Sequence, residues 1–154
     1  MRESLLTPSL SPSRAPAAIL YSVESSFLLA FFGGPFAIIL YSALNSWKLR
    51  RPLDGLVYLA ALLLSVAFIV AVKTRYAPLA GLMLAIGASA AELLWRALSM
   101  VLFALFYLMH RKQHRSAVLF GAKAPSPWIP AIAFAVLAHG MKLGVLYYAK
   151  AYLV

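Results

Sequence analysis

The chain has 154 residues, 64% of them hydrophobic and 12% charged, with 14 Lys and Arg against 4 Asp and Glu and a formal net charge of +10. Soluble domains are about half apolar and about a quarter charged, so this composition, with a mean hydropathy of +0.87, excludes a disordered chain and a water-soluble globule. It belongs to a polytopic membrane protein.

Cys is absent, which removes disulfides, thiol catalysis, Fe–S clusters and Cys-ligated zinc together. The basic residues sit in short runs between apolar stretches. That pattern fits orientation signals and attraction to anionic lipid headgroups rather than a nucleic-acid surface.

Residues 1–18 read as a flexible Ser/Pro-rich tail with Arg2, Glu3 and Arg14, and they lack the layout of a cleaved signal peptide. Residues 19–154 read as one transmembrane helical domain, an all-α bundle of four spans at roughly 25–47, 55–72, 77–109 and 128–150. Ser25–Trp47 runs 23 residues without a charge and Gly55–Val72 runs 18; about 20 are needed to bridge the hydrocarbon core. Gly33, Gly34 and Pro35 interrupt the first span, where Pro removes an N–H and predicts a kink or unwound point. Lys48, Arg50, Arg51, Pro52 and Asp54 form a basic turn.

Tyr76–Met109 is apolar for 34 residues apart from Glu92 and Arg96. As one helix it is overlong, roughly 50 Å, so Ile86–Met109 is expected to span, with Ala77–Ala85 as an interfacial or re-entrant lead-in. His110–Lys123, with Arg111, Lys112, His114 and Arg115, reads as a second basic loop before the last helix starts near Trp128.

With four spans, the two longer basic loops share a face and hold seven Lys and Arg against five on the other. The positive-inside rule then puts those loops in the cytoplasm and both termini outside.

Five ionisable residues fall within or at the ends of the spans: Glu24, Glu92, Arg96, His139 and Lys142. Counted from one membrane edge, Glu92 and Lys142 lie roughly 25 and 21 Å up, and Arg96, His139 and Glu24 fall near that layer. A meeting of these side chains towards the outer leaflet is expected. Ionisable groups at such depth are functional candidates by default. Glu92 and Arg96, four apart with the acid first, are set for an ion pair, and Trp95 suits an interface anchor.

No metal site is expected. His139 stands alone on an Ala-rich face, and His110 and His114 lack a zincin pattern. No cofactor motif is present.

Two small-residue stripes, Gly140 with Gly144 and Ala77 with Gly81, Ala85 and Ser89, suit helix packing, within the chain or against a partner.

The stretch Tyr21-Ser-Val-Glu-Ser-Ser-Phe-Leu-Leu-Ala-Phe-Phe-Gly-Gly-Pro-Phe-Ala37, closing at Asn45, resembles a pattern near the N-terminus of small bacterial membrane proteins of unassigned function, with Phe-x-Gly-Gly-Pro-x-Ala at its centre. The resemblance implies a bacterial inner-membrane protein and carries no activity.

Nucleophile elbows, P-loops and dinucleotide fingerprints are absent. The expected role is therefore a non-catalytic subunit, accessory protein or partner of another membrane protein, or of itself. The competing expectation is a small oligomeric transporter or channel with Glu92 at its site.

Overall fold

The structure, a computed structural model, describes residues 21, 25–49, 51–87, 89–119 and 126–152. Those residues fold into five helices: α1 (Ser26–Lys48), α2 (Asp54–Lys73), α3 (Ala77–Ile86), α4 (Ala90–Leu119) and α5 (Trp128–Tyr152). Four of them, α1, α2, α4 and α5, are long and apolar enough to cross a membrane. The chain is an all-α membrane bundle, as the composition predicts.

The break in α1 goes further than a kink. Gly34 has φ 78° and ψ −174°, a backbone state essentially confined to Gly. A straight helix from Ser26 to Lys48 would separate its ends by roughly 33 Å, and the five residues back to Tyr21 reach roughly 17 Å at most. Yet the Tyr21 N–H donates to Asn45 Oδ1 at 3.2 Å, and Lys48 Nζ lies 3.8 Å from the Tyr21 ring centroid. The helix therefore doubles back at Gly34 into two arms, 26–33 and 35–48.

Contacts along α4 agree. Phe27 meets Phe103 and the Ser99 hydroxyl donates to the Ala30 carbonyl at 2.6 Å, while the indole of Trp95 lies against Gly34. Beyond the turn the order reverses, through Phe36 on Trp95, Ile38 and Ile39 near Leu102, and Ser46 on His110. A Cβ built on Gly33 would lie 2.6 Å from that of Ala37, so only glycine lets the arms approach this closely. Pro35, whose ring suits the first turn of a helix, opens the second arm.

This hairpin is the centre of the molecule. Its second arm is buried from Gly34 through Ile39, and α2, α4 and α5 pack around it. α5 turns Ala131, Ala135, Ala138, Lys142 and Val145 inwards at helical spacing, leaving Gly140 and Gly144 on its outer face. A Cβ at either glycine would meet no atom within 4 Å, so that stripe does not pack within the chain. Ala77, Gly81, Ala85 and Ser89 are likewise exposed, because α3 rests on its neighbours through Leu79, Ala80 and Met83 instead.

The overlong third segment is divided. Gly87, at φ 102°, ends α3 by donating its N–H to the Met83 carbonyl at 2.9 Å, and α4 starts afresh at Ala90. α4 alone runs 30 residues and continues through His110, Arg111, Lys112, His114 and Arg115, which were expected in a loop. His110 is buried and hydrogen-bonded, which holds that turn in the bundle and carries the helix onward. Lys48 closes α1, and Arg51 lies in the turn before α2; Arg50 and Glu24 lie outside the described residues.

Candidate functional site

Two polar sites flank the hairpin, one at its apex and one at its base. At the apex, a cavity of about 140 Å³ is bordered by Gly33, Gly34, Glu92, Trp95, Arg96, His139 and Lys142. Four of the five expected ionisable residues thus converge. Three features place the lining: Glu92 and Arg96 come from the first two turns of α4, Lys142 from the inward face of α5 with exposed His139 at its flank, and the glycines from the chain reversal.

Arg96 donates to Glu92 Oε1 at 2.6 Å, with the two side chains 46% and 64% exposed. Pairs this open contribute about 0–1 kcal/mol. Arg96 also lies 5.4 Å over the Phe31 ring, and Lys142 Nζ is 5.5 Å from the Trp95 ring centroid.

Trp95 is not an interface anchor. It is 8% exposed and wedged between Phe36 and Phe68 against Gly34, because the reversal leaves a gap there that an indole fills. The expected convergence of Glu24 on this layer rested on a first helix that crosses the membrane. With α1 folded back, its neighbour Ser25 borders Pro127 and Trp128 at the start of α5.

A second cavity, about 270 Å³, shares Glu92, Trp95 and Lys142 with the first and extends to Lys73 at the end of α2. Glu92, Trp95 and Lys142 therefore border both spaces.

The base of the hairpin holds a cluster that sequence reasoning missed. Ser46, Asp54, Tyr58 and His110 are all buried and come from three helices. The Ser46 hydroxyl donates to Asp54 Oδ2 at 2.9 Å, lies 2.5 Å from the Tyr58 hydroxyl and 2.8 Å from His110 Nε2. The Tyr58 hydroxyl donates to the Ser42 carbonyl at 3.2 Å. Asp54 Oδ2 lies 3.5 Å from His110 Nε2, and Arg51 approaches the other carboxylate oxygen at 3.6 Å.

The signal was available: Asp54 and Tyr58 are four apart on one helix, and Ser46 and His110 sit at span ends on the same membrane face. The cluster was hidden because Asp54 and His110 both read as loop residues.

Ser, His and Asp are the types of a hydrolytic triad, but the connectivity differs. In a triad the carboxylate holds one imidazole nitrogen while the serine faces the other. Here Ser46 and Asp54 meet the same nitrogen, so the carboxylate does not orient the ring towards a nucleophile. Among the described residues no group of three or more His, Cys, Asp or Glu is placed to hold a metal ion. No family model, curated protein or solved structure matches the chain.

Proposed function

We propose that this chain is a small ion-translocating membrane protein, a transporter or channel acting as an oligomer, with the hairpin apex as its ion site and Glu92 as the exchanging group. The observation that carries this reading is the convergence of Glu92, Arg96, His139 and Lys142 on a cavity at a reversed helix. Non-helical backbone at membrane depth persists where protein or a water-filled cavity satisfies its polar groups, and interrupted helices are a recurring means of building ion sites. Lys142 and Arg96 set the field at Glu92, and the space shared with Lys73 gives access from one face.

The test is flux in liposomes containing the purified protein. Glu92→Gln is expected to lower it at least tenfold while the protein remains monodisperse and folded. Undiminished flux with Glu92→Gln would overturn the reading.

The second reading, a non-catalytic subunit or partner of another membrane protein, is favoured by the outward Gly140 and Gly144 stripe, where a partner helix can approach closely. Such a scaffold tolerates exchange of Glu92 and Lys142 with each other; a translocating site does not. Both readings are non-enzymatic and need no cofactor, and both have lipid, including anionic headgroups at the basic end, as a partner.

The orientation we propose follows the charges. Lys48, Arg51, Arg111, Lys112 and Arg115 lie at the hairpin-base end, against Lys73, Arg75 and Lys150 at the other. The base end then faces the cytoplasm. Because α1 folds back, the entry to its first arm at Tyr21 joins that side, leaving the end of α5 outside, in the inner membrane of a bacterium.

A further inference from the structure

We propose that Asp54, Ser46 and His110 form a proton-binding site in which one exchangeable proton is shared between carboxylate and imidazole through the serine hydroxyl. This inference stands apart from the translocation reading and rests on hydrogen-bond accounting at the hairpin base.

Ser46 Oγ has three polar neighbours: Asp54 Oδ2, the Tyr58 hydroxyl and His110 Nε2. The two hydroxyls supply two protons. With the serine proton on Asp54 and the tyrosine proton on Ser46 or on the Ser42 carbonyl, the 2.8 Å contact between Ser46 and Nε2 requires a proton on the ring nitrogen. The imidazole also has the Phe106 backbone as a hydrogen-bond partner. If that backbone bond is made by Nδ1 while Nε2 donates to Ser46, the ring is an imidazolium, and its counter-charge is the Asp54 carboxylate.

A second arrangement needs no heavy atom to move. The Nε2 proton passes to Ser46 Oγ while the serine proton passes to Asp54 Oδ2. One N–H and one O–H bond break, and one O–H bond forms at each oxygen. The products are neutral His110, still protonated at Nδ1, and a protonated Asp54. Net charge is zero in both states. The hops are 2.8 and 2.9 Å, within ordinary hydrogen-bond reach.

The surroundings favour this sharing. Asp54 and His110 are 5% and 3% exposed, and a separated ion pair in so dry a place is costly. The charged groups acting on His110 are Asp54 from α2 and Arg51 from the turn, with the Tyr58 hydroxyl from α2 alongside at 3.2 Å; α1 adds the Ser46 hydroxyl. Ser46, Tyr58 and Arg51 also border a space of about 650 Å³ between the hairpin base and α2, which gives protons a way in from the basic end.

The test is a pH titration of the full chain in lipid nanodiscs, following carboxyl protonation by difference infrared spectroscopy and the imidazole by ¹⁵N-histidine NMR. Asp54→Asn and His110→Gln assign the two signals. Because a shared proton belongs to the pair, the carboxyl and imidazole signals of the wild-type protein are expected to change together at the midpoint where the pair gives up that proton. Ser46→Ala is expected to split that midpoint into two, at least one pH unit apart, whereas Ser46→Thr keeps it single. Separate midpoints in the wild-type protein, or a common midpoint that survives Ser46→Ala, would overturn the site. If Ser46→Ala does not fold, the wild-type titration decides alone. Neither readout depends on transport, so loss of this site and loss of the apex reading are distinguishable.

Discussion

Gly34 concentrates two demands in one residue. Its φ of 78° with extended ψ costs a side-chain-bearing residue about 1–3 kcal/mol, and a Cβ there would lie 2.9 Å from the Trp95 indole nitrogen. Gly34→Ala is therefore expected to destabilise the protein by at least about 2 kcal/mol, read as the shift in denaturant-induced unfolding in detergent. Adding Trp95→Leu should recover the steric part and leave the backbone part, so the two changes will not add. A Gly34→Ala variant as stable as the parent would mean that the chain does not reverse here. The need for Gly33, Gly34 and Pro35 was legible in the sequence, since these residue types mark a break wherever they occur together inside an apolar run. The buried cluster was not. Ser46 and His110 lie 64 positions apart, and Asp54 and His110 both read as loop residues.

At the scale of elements, the hidden quantity was direction. The spans are apolar on nearly every side, so their periodicity does not say which face turns inwards. Length and lack of charge located α1, α2 and α5 closely, and they located the combined stretch of α3 and α4 while missing its division at Gly87. They could not say that α1 returns to the end from which it came, because that depends on Gly34 adopting one of several backbone states open to glycine. Distance settles it. Spin labels at Leu28 and Trp47, both exposed, would stand roughly 29 Å apart on a straight helix. With the arms folded together the separation is expected to fall to roughly half that. Electron double resonance on the lipid-embedded protein reads this directly, and the chain contains no cysteine to be removed beforehand. A separation near the straight-helix value would restore α1 as a simple span.

For the whole molecule, the fold-back changes where charge lies relative to the membrane. With four straight spans the basic residues divide almost evenly between the two faces, and the positive-inside rule has little to act on. With α1 as a hairpin, Tyr21, Lys48, Arg51 and Arg115 belong to one end, and Lys73, Arg75 and Tyr152 to the other. Single cysteines at Tyr21, Arg115 and Tyr152, probed with a membrane-impermeant maleimide on intact and permeabilised cells, read this arrangement. Positions 21 and 115 are expected to label only after permeabilisation, and position 152 in intact cells. The pairing matters more than the absolute side: if the whole protein were inserted the other way round, 21 and 115 would still behave alike and opposite to 152. Position 21 grouping with 152 instead would require α1 to cross the membrane. That result would take the apex cavity, and the ion site proposed there, with it, because Gly34 could then no longer bring the end of the first arm against Glu92, Arg96, His139 and Lys142 in the way the present contacts require.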